Sequence, residues 1–327
     1  MSQVGRVGQV GRILVTRRLP SSVLAKLRDA AEVDLYTGEA AIPADELRQR
    51  IADKDGLISL LTDPIDRSVM DAAPNLKVIA NVAVGYNNID AAYAKSRGIV
   101  VTNTPDVLTE SVADFTWGLI LAITRRLAEG ERLLRRGEWK GWALDFMLGT
   151  ELRGKQLGLV GLGRIARAVA ARAPAFGMRV AYASRQSDGA TGKNAGPGEA
   201  MSLDRLLVTS DIVSLHVPLT PETRHLIDKP KLARMKRSAF LINTARGPVV
   251  DEAALAWALQ SHLLAGAALD VYENEPAIHP DLLTLENVLL VPHLASGTTE
   301  TRTTMAELAA DNAIAVLQGR LPPTPVP

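Results

Sequence analysis

Three ionisable residues of complementary type stand just beyond three short apolar runs: Arg246 after 240–243, Glu275 after 267–270 and His293 after 288–291. An arginine offers a planar fork of donors that suits a carboxylate and the negative charge growing on a neighbouring oxygen. A histidine, with an ordinary pKa of about 6.5, is the side chain best suited to give up a proton near neutrality. A carboxylate beside it favours the imidazolium and holds the ring in one orientation. Together these groups could assist the transfer of a hydride to a carbonyl. Each also has a plainer reading: a solvated arginine, a structural histidine beside Pro292, and a turn begun by Glu275-Pro276. A shared position at strand ends is what raises them above His216, His225, His262 and His279.

A second feature says what could reduce the carbonyl. Residues 158–166 read G-L-V-G-L-G-R-I-A, an apolar run followed by G-x-G-x-x-A and a helical stretch. That is the strand, glycine turn and helix of a dinucleotide-binding unit. Gly161 permits the tight turn, Gly163 lets backbone approach a pyrophosphate, and the free amides of the next helix face the anion. Ala166 replaces the third glycine, which the pattern allows, and Pro174 is expected to end the helix early.

The elements that must position these groups alternate between β-branched apolar runs and helix-period segments, the pattern of parallel sheets covered by helices. The spacing predicts strands over 13–16, 33–36, 57–60, 77–80 and 99–102, with helices near 22–30, 44–53, 65–72 and 89–97. One or two amphipathic helices are expected over 107–136. Six further strands are expected over 157–160, 179–182, 212–217, 240–243, 267–270 and 288–291, a full dinucleotide-binding sheet. Residues 187–200 read as a surface loop, and a last helix spans about 300–318. In an open α/β sheet the ligand lies outside the carboxyl ends of the strands, which places Arg246, Glu275 and His293 on the glycine-turn edge.

Composition narrows the function classes. The chain has 327 residues, enough for two domains, and 37 Lys+Arg against 36 Asp+Glu give no field to draw nucleic acid or an anionic membrane. The absence of cysteine removes disulfides, thiolate metal sites and a cysteine nucleophile, and fits a reducing compartment. With no long apolar span and no secretory signal, the expectation is a cytoplasmic protein acting on a small ligand. The V-G-R-V-G-Q-V-G-R repeat at 4–12 reads as a frayed extension or a misplaced start.

The motifs resemble, nearly end to end, the D-isomer-specific 2-hydroxyacid dehydrogenase family. N-V-A-V-G-Y-N-N-I-D (81–90), V-T-N-T-P (101–105), G-L-G-R-I-A (161–166), L-I-N-T-A-R-G (241–247), L-D-V-Y-E-N-E-P (269–276) and V-P-H-L-A-S (291–296) carry the likeness in order. Residues 57–66 and 137–142 look more narrowly like glyoxylate and hydroxypyruvate reductases. The resemblance implies two doubly wound parallel-sheet α/β domains, a Rossmann-type cofactor domain (105–297) and a flavodoxin-like substrate domain (1–104 with 298–327). It implies Arg246 as substrate anchor, Glu275 as the histidine's partner and His293 as proton donor. Leu60 and the backbone of Val84 and Gly85 would receive the substrate. Leu162, Gly163, Arg164, Ile165, Ser184, Arg185, Gln186, Thr244, Ala245, Asp270 and His293 would contact the cofactor, and the 107–136 region would join two subunits of a homodimer.

About twenty residues beyond the glycine turn, an NAD enzyme usually places an acid on the adenosine ribose. Ser184 and Arg185 stand there instead. An acid would repel a 2′-phosphate, whereas a hydroxyl and a guanidinium can bind it, so NADPH is expected over NADH. The leading expectation is therefore reduction of glyoxylate or hydroxypyruvate to glycolate or D-glycerate. Its rivals are an NADH-dependent enzyme for another 2-keto acid, and a nucleotide-sensing interaction protein of the same fold.

Overall fold

The computed structural model describes residues 11–185 and 197–327, which form two compact units. Most of the 4–12 repeat, the candidate cofactor contact Gln186 and most of the 187–200 loop lie outside the described residues.

The first unit takes in residues up to Leu108 together with Thr298–Pro327. Its strands are β1 (Arg12–Val15), β2 (Glu32–Leu35), β3 (Gly56–Ser59), β4 (Val78–Asn81) and β5 (Val100–Thr102), all parallel in the order β2-β1-β3-β4-β5. That is the flavodoxin-like order, whose direction reverses between β1 and β3. β3 and β4 are buried along their whole length, so they read as continuous apolar runs and not as alternating ones. Short helices cover the sheet. Asp66 and Asp90 cap two of them by accepting the amides of Val69 and Tyr93. The helix Thr299–Leu317 buries Met305, Ala306, Ala309, Ala310 and Ala313, and packs on β3, β4 and the helix Ser21–Ala30. Residues between Thr104 and Leu108 stay with this unit, so it extends four residues beyond the expected boundary.

The second unit, Thr109–Gly297, is built on a seven-stranded parallel sheet. Its strands are β6 (Gln156–Val160), β7 (Arg179–Ala183), β8 (Glu199–Ala200), β9 (Ile212–Leu215), β10 (Phe240–Asn243), β11 (Gly266–Leu269) and β12 (Val288–Leu290). Their order, β12-β11-β10-β9-β6-β7-β8, is the dinucleotide-binding order with one strand added at an edge. The sequence predicts six strands. The seventh, β8, has only two residues, both exposed, and so carries no apolar run to betray it; it pairs with Ala181 and Tyr182 of β7. Arg179–Ala183 runs one residue further than expected, and Ile212–Leu215 stops two residues short of the expected 217.

The 107–136 region is two helices, Thr109–Thr124 and Leu127–Arg135, broken where Arg126 takes a left-handed φ of 54°. The first is core: Trp117 stacks on Phe176 with ring centroids 4.2 Å apart and donates from Nε1 to the Val169 carbonyl. Pro174 falls in a 3-10 turn, Ala173–Phe176, directly after the helix Arg164–Arg172. Among the described residues, no helix is long and apolar enough to cross a membrane.

Candidate active site

β10, β11 and β12 lie side by side, and the chain leaving each carries one of the three ionisable groups. His293 Nδ1 stands 3.0 Å from Glu275 Oε2, with both side chains about three-quarters buried at 27% and 26% exposure. The other Glu275 oxygen, Oε1, accepts the Tyr272 amide at 3.1 Å. Burial pushes the Glu275 carboxyl up. The hydrogen bond and charge of His293, the Tyr272 amide and the Arg246 charge together outweigh it and hold the carboxyl below the usual range. Glu275 is therefore an anion at neutral pH. With Nδ1 facing it, a proton passed from His293 to a substrate would leave from the other ring nitrogen, Nε2.

His293 adopts a left-handed φ of 51°, and its amide donates to the carbonyls of Asp270 and Val291. Asp270, expected as a cofactor contact, has no exposed surface, and its carboxylate accepts the amides of Leu294 (2.5 Å) and Ala295 (3.0 Å). It thus clamps the turn that presents the histidine. Tyr272 adds a hydroxyl bond to the Val291 carbonyl at 2.9 Å.

The Arg246 loop is tied down as firmly. Asn243, buried at the end of β10, accepts the Ala245 amide at 3.0 Å and donates to the Arg246 carbonyl at 3.0 Å. Arg246 Nη1 donates to the Ala245 carbonyl. A Cβ on Gly247 would come within 1.9 Å of the Tyr272 backbone, so only glycine lets this loop pack on the one leading to Glu275. Burial lowers the Arg246 pKa, with Glu275 opposing, and arginine starts so high that the group remains a cation. Thr244 stands 3.1 Å from Thr116, hydroxyl to hydroxyl. Arg246, Glu275 and His293 are thus brought together. The roles of Asn243, Tyr272 and Gly247 as their supports were not read from the sequence, although L-I-N-T-A-R-G and L-D-V-Y-E-N-E-P contain all three.

On the same sheet edge, Gly161 follows β6 with a φ of +94°, and a Cβ there would meet the His216 carbonyl at 2.6 Å. A Cβ on Gly163 would meet nothing within 4 Å, which leaves an open approach to the backbone. Gly163 starts the helix Arg164–Arg172, and no side chain caps it. Leu162, Gly163, Arg164 and Ile165 therefore form a turn that fits a pyrophosphate. Ser184 is partly buried just past β7, and Arg185 is exposed.

In the first unit, Leu60 follows β3, and Val84 and Gly85 lie in the bend after β4. The Leu60 amide is taken by Asp63 Oδ2 at 2.8 Å. The amides of Val84 and Gly85 donate to no protein acceptor among the described residues. Two adjacent amides in that state form a ready receptor for an anionic oxygen.

Comparison with known proteins agrees with this chemistry. Residues 117–295 match the family model described as D-isomer specific 2-hydroxyacid dehydrogenase, NAD binding domain. A glyoxylate reductase of Korarchaeum cryptofilum is 51% identical over 95% of this chain and 94% of its own length. Among solved structures, a Thermus thermophilus protein superposes with a TM-score of 0.90 at 48% identity, covering 97% of this chain and 100% of that one. The NADPH-dependent glyoxylate/hydroxypyruvate reductase of Sinorhizobium meliloti, solved with NADP and malonate, gives a TM-score of 0.83 at 38% identity over 96% of each chain.

Proposed function

Because the chain belongs to the D-isomer specific 2-hydroxyacid dehydrogenase family, we propose that it reduces glyoxylate or hydroxypyruvate to glycolate or D-glycerate, with NADPH preferred over NADH. The observation that carries this reading is the His293–Glu275 pair, with Arg246, on the edge that also bears the Gly161–Gly163 turn. The nicotinamide, when bound, supplies a hydride to the carbonyl carbon. His293 Nε2 then gives its proton to the carbonyl oxygen, while Glu275 stabilises the imidazolium that precedes transfer and fixes the ring. Arg246 grips the carboxylate and offsets charge on the reacting oxygen. In the first unit, the amides of Val84 and Gly85 are the proposed receptor for a substrate carboxylate, with Leu60 nearby.

For the cofactor, Leu162, Gly163, Arg164 and Ile165 hold the pyrophosphate, Thr244 and Ala245 line the nicotinamide side, and Asp270 acts through the His293 turn. The NADPH preference rests on Ser184 and Arg185, which follow β7 directly, with Ser184 at the place where an NAD enzyme usually has an acid. The Sinorhizobium meliloti relative, itself NADPH-dependent, favours the same choice. Initial rates on glyoxylate and hydroxypyruvate, with NADPH and NADH at matched low concentrations, test the proposal. Faster turnover with NADPH is expected, and Ser184→Asp should shift the NADPH/NADH ratio of kcat/KM at least about tenfold toward NADH, since like charges in contact cost several kcal/mol. A wild type that prefers NADH overturns the phosphate argument, and one without keto-acid turnover overturns the substrate.

We also propose a homodimer. The helix Thr109–Thr124 is core, so the joining surface is the later part of the expected region together with residues 137–148: Leu127, Leu134, Trp142, Leu144 and Leu148 are each more than half exposed. An apolar strip of that length calls for a covering partner. Light scattering should give about twice the 35.0 kDa chain mass, and a monomer that is active at the same concentration would refute this.

A further inference from the structure

The bend after β4 has its carbonyls fastened one after another. The Ala83 carbonyl accepts the Thr104 amide at 2.8 Å, the Val84 carbonyl accepts Asn103 Nδ2 at 2.8 Å, and the Gly85 carbonyl accepts Asn81 Nδ2 at 3.0 Å. A peptide group is rigid and planar, with its N–H pointing opposite to its C=O. Holding the Val84 carbonyl therefore aims the Gly85 N–H, one of the two amides without a protein acceptor among the described residues. Asn103 is held in turn. Its amide donates to the Thr324 carbonyl at 3.3 Å, and its own carbonyl accepts Thr324 Oγ1 at 2.7 Å. Thr324 is anchored from behind by Asn312, fully buried on the helix Thr299–Leu317, through two bonds of 2.8 and 3.0 Å. Pro325 bridges to Thr102, and the Val326 amide donates to Val101, so 324–326 lies along β5 as a short added edge.

We propose that Asn103 is a positioning residue for keto-acid carboxylate recognition, and that Thr324, from the segment after the last helix, locks it in place. The proposal rests on the reading that Val84 and Gly85 receive the carboxylate. A carboxylate oxygen is bound well only by donors already aimed at it, and a bend free to rotate would have to be ordered each time substrate arrives. The side-chain relay Asn312–Thr324–Asn103 does that ordering in advance. It should show in substrate capture and not in the chemical step, because none of its members touches the reacting atoms.

The test compares Asn103→Leu, which keeps the volume and removes the donor without adding charge, with Thr324→Val and Thr324→Ser. The loss of one neutral hydrogen bond corresponds to about two- to tenfold, so KM for glyoxylate should rise by about that factor in Asn103→Leu and Thr324→Val, with kcat falling less than about threefold. Thr324→Ser, which restores the hydroxyl, should return KM to the wild-type value, and NADPH binding measured by fluorescence should match the wild type throughout. A merely structural role would lower the melting temperature and leave KM where it was; that result overturns the proposal. If Asn103→Leu does not fold, the Thr324 pair decides, since an unmoved KM in Thr324→Val is sufficient to refute it. A wild type that shows no saturable turnover of any keto acid overturns the reading of the site itself, whereas a saturable wild type with unmoved variants overturns only the relay.

Discussion

Replacing His293 with alanine should lower kcat for glyoxylate by about 10²–10⁴-fold, the usual range for a positioned general acid, while NADPH still binds. The retention of binding is as informative as the loss of rate. The turn that presents the ring is held by backbone and carboxylate bonds that the substitution leaves intact: the residue 293 amide to Asp270 and Val291, and the amides of Leu294 and Ala295 to the Asp270 carboxylate. The side chain is 27% exposed and stands beyond the end of β12, outside the sheet core, so its removal costs less packing than a core truncation would. Glu275 is the group most disturbed. Without His293 it loses a hydrogen bond and a nearby charge, and burial then acts on it with only the Tyr272 amide and Arg246 in opposition. Its pKa should climb back toward the ordinary carboxylate value. Stability that comes from the depressed carboxyl is present above the unfolded pKa and is lost as pH falls through the folded one, so the variant should gain little from its acid and unfold no later on acidification. Stopped-flow turnover together with a fluorescence titration of NADPH checks both halves. Turnover within about threefold of the wild type would remove His293 from the mechanism, since no general acid of consequence is that dispensable.

The strands that carry the site were legible because parallel sheets bury both faces. F-L-I-N and G-A-A-L announce β10 and β11 without help from any partner, and the rule that ligands gather at carboxyl ends converts those strands into positions for Arg246 and Glu275. β8 was invisible for the complementary reason: Glu199 and Ala200 bury nothing, and they pair only because β7 offers an open edge. The 107–136 region is expected as one or two amphipathic helices that join two subunits, yet its first helix is core and the exposed apolar residues lie on the second. Periodicity finds an apolar face but not whether the same chain or another covers it. The supports of the site were harder still. Asn243, Asp270 and Asn103 are polar residues at strand ends, which sequence pattern assigns to ligands or solvent. The structure shows each spent on backbone groups of the loop beside it.

Such spending makes Arg246 the sharpest remaining test, because its loop keeps its shape when the side chain is cut. The Arg246 carbonyl is held by Asn243, and Gly247 is packed against the Tyr272 backbone; neither contact involves the guanidinium. Arg246→Ala should therefore fold, bind NADPH and lose both substrate capture and rate. A charge-assisted hydrogen bond is worth about 1.5–3 kcal/mol, and removing a donor to a developing oxyanion costs about 10²–10³-fold in kcat. Together they place the fall in kcat/KM for glyoxylate at about 10³-fold or more. Arg246→Lys should recover only part of it: the charge returns, but one ammonium cannot span a carboxylate and an adjacent oxygen as a planar fork does. Millimolar guanidinium added to the alanine variant should restore some rate, whereas added ammonium should not, and that difference separates the fork from the charge. A kcat/KM within about tenfold of the wild type, in a variant that still binds NADPH, would mean that the substrate carboxylate is held elsewhere, since a lost charged pair with its hydrogen bonds cannot cost so little.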